Sequence, residues 1–390
     1  MVRTALISGA GLGGLTAALA LARRGWRVRV LERADAFGEV GAGIQQSPNA
    51  MRVHQALGIA DALRAVATEP EAATIRDGRT GRVLVRVPLG AAAEARYGAP
   101  YLQLHRADLH GVLTAACEDA GVEIETGAVV TGYEGGPRPA LVVGGAPCEA
   151  DLVVGAEGAR SVIRAQMHPG AAPRFTGQTA WRATVPGDRL PPGTVPPEAT
   201  SWIGRGGHVV TYPLRGGRLV NVVAVREAGA WAAEDWSVPG DPGALPDAFA
   251  GWDARIGVVL GAVTECWLWG LFDHLPLPPW SDGAAVLLGD AAHPMLPFLA
   301  QGAGMAVEDA YALAAAMEGG GLPAFEAMRR PRVARVHRLS RANAALFHRR
   351  GAWARAKMAV GARLPALPAR VMDGIFGYDA VADARARLGC

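Results

Sequence analysis

The sequence predicts an α/β fold in which a Rossmann-like dinucleotide-binding domain carries an inserted, mainly antiparallel β-sheet domain and a C-terminal helical tail. Three observations carry that prediction. A short apolar run at residues 4–8 leads through a glycine-rich turn into an alanine- and leucine-rich stretch, the pattern of a buried strand feeding a helix. Between about residues 175 and 269 the character changes: prolines gather at Pro191, Pro192, Pro196 and Pro197, and strand-like runs replace helical ones. From Glu326 onward the chain becomes helical and basic.

Residues 4–8 are a strand by length and composition, and residues 15–24 a helix closed by Gly25. Residues 27–31 alternate Val with Arg and end at Glu32, completing a β-α-β unit. Residues 49–67 are predicted helical with a break at Gly58, and residues 73–87 as strands about a turn at Asp77-Gly78. Residues 106–119 are a helix, followed by a strand at 122–125. Residues 180–185, 208–213 and 219–225 give the inserted sheet its strands. Residues 286–288 return to a buried strand that ends at Gly289-Asp290.

Composition narrows the function classes. Half of the 390 residues are apolar, enough for a large core and against wholesale disorder. The balance of 39 basic and 36 acidic residues, net +3, gives no footprint for nucleic acid. Of the basic residues only Lys357 is lysine. The tail from Glu326 holds 14 Lys/Arg against 4 Asp/Glu; without interleaved aromatics it reads as an arginine-lined solvated face. Cys117, Cys148, Cys266 and Cys390 form no CxxC pair, which argues against a zinc site or a disulfide scaffold and for a reducing cytoplasm. Residues 1–22 are apolar, but Arg23 and Arg24 stand where a secretory leader would show small residues. No uncharged apolar stretch reaches membrane-spanning length. A soluble cytoplasmic enzyme with no nucleic-acid or membrane partner, monomer or homodimer, is expected.

Gly9, Gly11 and Gly14 fit GxGxxG between strand and helix, with Gly13 inside the motif. The first glycine makes the tight turn, the second admits a pyrophosphate, and the third lets helix pack on strand. The helix N-terminus then faces the phosphate charge. Glu32, 18 residues beyond Gly14 and followed by Arg33, is placed to accept hydrogen bonds from a ribose. This unit does not distinguish FAD from NAD.

Two further segments decide between them. Residues 151–164 contain Gly155-Ala-Glu157-Gly158, and residues 286–310 run Val-Leu-Leu-Gly-Asp-Ala-Ala-His-Pro-Met-Leu-Pro-Phe-Leu-Ala-Gln-Gly-Ala-Gly-Met-Ala-Val-Glu-Asp-Ala. With Gly41-Ala-Gly-Ile-Gln-Gln-Ser-Pro-Asn49 and Leu104-His-Arg-Ala-Asp-Leu109, the chain resembles the FAD-dependent aromatic hydroxylases of the para-hydroxybenzoate hydroxylase superfamily. Within it, the similarity is to the salicylate hydroxylase and 6-hydroxynicotinate 3-monooxygenase branch, over most of residues 1–345. Physically, Asp290 at a strand end suits the ribityl hydroxyls of a flavin. Backbone N–H groups of Gly302, Ala303 and Gly304 at a helix start suit the negative charge of a reduced flavin. Pro297 stiffens the loop beside the ring. The resemblance implies that the Pro297 carbonyl lies near the ring carbon where oxygen adds, that Arg106 reaches the FAD phosphates, and that residues 151–164 touch FAD and a transient NADH or NADPH. The family has Asp-Gly where this chain has Glu157-Gly158. His293 is expected to frame the loop.

The resemblance implies residues 1–72, 101–174 and 276–345 as an FAD-binding domain, 73–100 and 175–275 as a substrate domain, and 346–390 as C-terminal helices. It implies a monooxygenase that uses NAD(P)H and O₂, through a C4a-hydroperoxyflavin, to hydroxylate a small hydroxylated aromatic acid such as salicylate, 3-hydroxybenzoate or 6-hydroxynicotinate, with or without loss of CO₂. His208 and Tyr212 lie four apart on one strand face and are the candidates for activating a ring hydroxyl. Trp202 and Trp269 are candidate pocket walls, Arg182 (or Arg205) a candidate for a substrate carboxylate, and Gln46 a substrate-facing polar residue. The alternatives are a non-catalytic FAD-binding redox sensor and a hydroxylase of a larger aromatic or quinolone-type substrate. A flavin halogenase would need a lysine near the pocket, and only Lys357 exists. An NAD dehydrogenase is disfavoured by residues 289–310.

Overall fold

Burial on both faces is what the apolar run at the start of the chain requires, and the fold provides it. In the computed structural model, which describes residues 2–38, 42–231, 237–274, 278–348 and 366–389, the strand Thr4–Ser8 lies inside a six-stranded sheet. The order is Ser281–Asp282, Ala285–Leu287, Leu152–Gly155, Thr4–Ser8, Arg27–Leu31, Glu123–Glu125. All neighbours are parallel except the first pair, and helices cover the sheet as parallel strands demand. The helix Leu12–Ala22 begins three residues before its sequence-read start, so the glycine turn supplies its first turn. It packs against the helix Gly302–Ala316, and both are rich in alanine. A Cβ on Gly13 would stand 2.9 Å from Leu288 and 3.2 Å from Ala306; that glycine keeps the layers close. The predicted helix at 49–67 is two helices, Pro48–Ala56 and Ala60–Val66, with Gly58 between them at φ +63°.

The second sheet has eight strands in the order Ser237–Pro239, Trp267–Asp273, Arg174–Pro186, Leu219–Glu227, Gly207–Leu214, Ala199–Gly204, Ala72–Asp77, Val83–Pro88. It is antiparallel apart from the pair Ala199–Gly204 and Ala72–Asp77. Successive side chains leave a strand on opposite faces, and the two faces have different neighbours. Ala183, Val185, Trp202, Val209, Val222 and Ala224 form a core with the helices Ala244–Ala248 and Ala254–Gly261. Their alternates, among them Arg182, His208, Val210, Tyr212, Val223 and Val225, face a cavity toward the first sheet.

Two small sheets were not anticipated: a meander of Val130–Glu134, Ala140–Val143 and Ala146–Glu149, and a ribbon of Gly43–Gln46 with Leu102–His105. The meander's second turn is Gly144-Gly145, both at positive φ, a hairpin signal the sequence did carry. The ribbon strands are four residues each, too short for periodicity to register.

The tail is helical, as expected, at Gly321–His348, Ala366–Phe376 and Ala380–Leu388. Its reading as a wholly solvated arginine face is corrected. Arg329 and Arg332 are buried and bind the buried Glu308 and Asp309 of the central helix. Charges this deep require partners, and the acidic pair sits inside a helix whose sequence reads as apolar. Arg332 also donates to the Gly374 and Ile375 carbonyls, fastening the last helices to the first domain. Lys357 and Cys390 lie outside the described residues. Among the described residues no helix is long and apolar enough to cross a membrane.

Candidate functional site

The glycine turn has the shape a dinucleotide needs. Gly9 stands at φ +100°, and a Cβ there would collide with the Ala156 carbonyl at 2.6 Å. A Cβ on Gly14 would meet the Gly9 carbonyl oxygen at 2.0 Å, so no larger residue fits where helix meets strand. At Gly11 the same construction meets nothing within 4 Å, which leaves the helix N-terminus open toward a phosphate. Glu32 accepts the Ala10 N–H at 2.8 Å and the Ala34 N–H at 3.0 Å, which fixes its carboxylate beside the turn. Arg33 is exposed next to it. Arg106 opens a helix, and Glu32 and Asp290 are the opposite charges that act on it; desolvation lowers its pKa below the ordinary value.

Between the sheets is a cavity of about 990 Å³, at the upper end of small-molecule sites. Its floor is the segment from Asp290 through Pro294–Ala300 to Gly302 and Ala303. Asp290 is exposed on the wall of this cavity, and desolvation raises its carboxyl pKa, opposed by His293, Arg106 and Arg164. It has no hydrogen-bond partner among the described residues, so it is an acceptor suited to ligand hydroxyls. Gly302 and Ala303 open a 15-residue helix over the same floor. Gly304 does not face the cavity; a Cβ on it would point at Gln301 and Asn49. Pro297 starts a short 3₁₀ turn on the floor, followed by Ala300 at φ +52°.

A buried polar frame holds that floor. His293 Nε2 lies 2.6 Å from Asp309 Oδ2, as the framing role expected of His293 requires. Asn49 donates to Gln301 and to Glu308, and Gln301 donates to the Ser47 hydroxyl. Glu157 is turned inward: its Oε2 accepts the Ser161 hydroxyl at 2.5 Å, and burial raises its pKa.

The roof is the cavity face of the eight-stranded sheet. Register sets the placement. Arg182 pairs with Val223, which pairs with Val210; His208 and Tyr212 flank Val210 on the same face. With strands about 4.8 Å apart and residues about 3.4 Å apart, Arg182 is roughly 12 Å at Cα from each of His208 and Tyr212. Burial pushes His208 well below the usual histidine pKa and raises that of Tyr212. Arg182 makes no hydrogen bond or ion pair among the described residues; burial lowers its pKa, and its guanidinium lies 5.4 Å from the Trp269 ring. The Tyr212 ring lies over Gly43, where a Cβ would be 2.6 Å from it. Val85, Val87, Val210, Val223, Val225 and Leu296 make the remaining surface apolar.

The sequence-predicted residues divide accordingly. His208, Tyr212, Arg182, Trp269, Asp290, Pro297, Gly302 and Ala303 come together around the cavity. Trp202 does not: it belongs to the opposite strand parity and is buried between Arg76 and Arg255 in the far core. Gln46 is likewise turned away, bound to His54 at 3.0 Å, because its neighbour Gln45 takes the cavity side of that strand. Arg205 is exposed in a hairpin turn. Sequence reasoning missed Gln45, Tyr101, whose hydroxyl donates to Gln45 at 2.6 Å, and His348, which sits 2.8 Å from His208. Each lies on an element whose facing was not legible from the chain alone.

Residues 2–336 match the FAD binding domain family. The chain is 41% identical over 354 residues to the 3-amino-4-hydroxybenzoate 2-monooxygenase PtmB3 of Streptomyces platensis, covering 89% of this chain and 88% of that protein. It is 39% identical over 355 residues to 3-hydroxybenzoate 6-hydroxylase 1 of Aquipseudomonas alcaligenes, covering 89% and 90%. Its fold matches that of a salicylate hydroxylase substrate complex with a TM-score of 0.81 at 25% identity, over 98% of this chain and 97% of that one.

Proposed function

The chain belongs to the FAD binding domain family, and from that premise we propose that it is a flavoprotein monooxygenase using NAD(P)H and O₂ to hydroxylate a small hydroxylated aromatic acid. The observation that carries the substrate class is the presence, in one apolar cavity, of an arginine without a hydrogen-bond partner together with a histidine and a tyrosine two strands away on the same sheet face.

FAD would be held by the Gly9–Gly14 turn and Arg106 at its phosphates, by Glu32 at a ribose, and by Asp290 and the Gly302–Ala303 N–H groups near the ring system. Bound there, it supplies hydride acceptance and oxygen activation, which no side chain provides. The protein's own work is binding, orientation and proton control. Arg182 is assigned to the carboxylate, because a buried guanidinium without a partner gains most from a bidentate anion. His208 and Tyr212, at opposite ends of one strand face, are assigned to the ring hydroxyl; ionising it makes the ring a better nucleophile. Val85, Val87, Val223 and Leu296 keep the site dry, which protects reactive species from water. Pro297 and its 3₁₀ turn hold the floor at a fixed height. In this assignment the six-stranded sheet with its helices is the flavin domain and the eight-stranded sheet the substrate domain.

The test is NADH and NADPH consumption by the FAD-loaded protein across hydroxybenzoates, aminohydroxybenzoates and hydroxynicotinates, with product identification. Stimulation by one compound together with a hydroxylated product establishes the class. Stimulation without product marks an effector. No stimulation by any member moves the assignment to a larger aromatic substrate or to a redox sensor.

A further inference from the structure

Beside His208 stands a second imidazole for which the hydroxylase assignment has no role. His208 Nδ1 and His348 Nε2 are 2.8 Å apart, and the two residues are only 3% and 6% exposed. Phe298 and Phe347 pack on the His208 ring, which still lines the cavity. On the far side of His348, the Gln178 amide lies 3.4 Å and Glu227 Oε1 3.9 Å from Nδ1; a protonated Nδ1 takes the Gln178 oxygen, otherwise without a partner, as the amide end that faces it. The Glu227 side chain is 39% exposed. Cavity, His208, His348 and Glu227 therefore form a line from an apolar interior to solvent.

We propose that His348 is a positioning residue for the hydroxylation: it sets the tautomer of His208 and passes the substrate's hydroxyl proton outward to Glu227. This rests on the assignment of His208 to the ring hydroxyl. Two neutral imidazoles in contact need one donor and one acceptor. With His208 Nδ1–H donating to His348 Nε2, the lone pair of His208 Nε2 is left for the substrate. The substrate O–H bond then breaks and an N–H bond forms at His208 Nε2. The Nδ1 proton of His208 moves to His348 Nε2, and the Nδ1 proton of His348 leaves to the Glu227 carboxylate. The substrate remains as its phenolate, one proton has crossed the wall, and no electron is exchanged. A proton returning along the same line restores both tautomers. The charges facing the pair favour this direction. His208 faces only His348, so burial disfavours a resident imidazolium there. Burial lowers the pKa of His348 too, but there Glu227 favours the charged form, with Arg226 opposing it.

The test uses the FAD-loaded full chain without NAD(P)H, mixed rapidly with 3-hydroxybenzoate, 3-amino-4-hydroxybenzoate or 6-hydroxynicotinate in weak buffer with a pH indicator. Phenolate absorbance and proton appearance are followed together. The wild type is expected to release a proton as bound phenolate forms. His348→Gln is expected to slow that release on the order of 10²-fold with the dissociation constant nearly unchanged. Imidazole added to His348→Ala is expected to restore it, which a packing role would not allow. Release from His348→Gln as fast as wild type overturns the relay, as does wild-type binding without phenolate. Binding of none of the three probes overturns the assigned function, and the relay with it. Should His348→Gln not fold, Glu227→Gln at the half-exposed end decides the matter: slower release supports the relay, unchanged release overturns it.

Discussion

His208 and Asp290 face the same cavity from opposite walls, and their substitutions should fail in opposite ways. His208→Ala removes a proton acceptor and leaves the floor intact, so turnover should fall by about 10²–10⁴-fold with flavin content unchanged. Rapid-mixing kinetics alongside visible absorbance separates the two; a loss of flavin with turnover per flavin preserved would remove His208 from the chemistry. Asp290→Ala deletes an acceptor for ligand hydroxyls. A hydrogen bond to a charged group contributes about 1.5–3 kcal/mol, so flavin affinity should drop by roughly 10- to 10²-fold, measured by titrating apoprotein. At this scale the sequence is informative wherever a residue type and a period coincide. Four-residue spacing alone puts His208 and Tyr212 on one strand face. It cannot say which of Gln45 and Gln46 faces inward, because a four-residue strand carries no phase of its own; the crossing ribbon and His54 set it.

The helices Gly302–Ala316 and Gly321–His348 meet through charges where alanines and leucines dominate the sequence. Arg329 contacts Glu308 and Asp309 at 2.7 Å, with all three side chains fully buried. Arg329→Met would strand two buried carboxylates, and breaking such a network by removing one partner costs about 3–5 kcal/mol. Chemical denaturation should show a loss of that size. A loss under about 1 kcal/mol would mean that Arg332 and His293 suffice to hold the acids. Because Asp309 also holds His293 and the Gly289 N–H, the same variant should loosen the cavity floor and weaken flavin binding. Nothing in the chain marks Glu308 and Asp309 as buried. Their partners are about 20 residues away on a helix read as solvated, so only the packing of one helix on the other discloses the pair.

The whole molecule carries a pH signature from neutral histidines sealed in its interior. Burial depresses His54 to about 3 and His274 to about 4, from an ordinary value of 6.5. The unfolded chain therefore binds more protons than the folded one below pH 6.5, and stability rises with pH over that window. Lowering the pH from 6.5 toward 4 should thus destabilise the protein progressively. Below 3.8 the loss continues, because Asp309, whose burial is outweighed by His293 and Arg329, stays ionised in the folded chain while it protonates in the unfolded one. Thermal denaturation at stepped pH measures this; a flat profile between pH 6.5 and 4 would show that these histidines protonate in the folded state. The fold at this scale was largely legible: the parallel sheet follows from the glycine turn and its flanking strands, and the second sheet from the proline-rich change of character. What the chain concealed was the closure of the cavity. Val371, Met372, Ile375 and Phe376 line it from a helix held by Arg332 and by Arg52, whose guanidinium donates to the Phe376 carbonyl.

The eight-stranded sheet presents one set of alternating residues to the ligand space and the complementary set to a separate core. Val85, Val210, Val223 and Val225 belong to the first set; Val209, Val222 and Ala224 to the second. Recognition and structural integrity are thus written in different letters of the same words. Substitutions at the half-buried positions, such as Val85→Ala or Val223→Ala, should shift preference among ring substituents while the melting temperature moves little. Val222→Ala, one position away, should lower the melting temperature and leave preference alone. A combinatorial library confined to the inward letters would therefore explore new specificities from a scaffold that does not have to be stabilised again at each step.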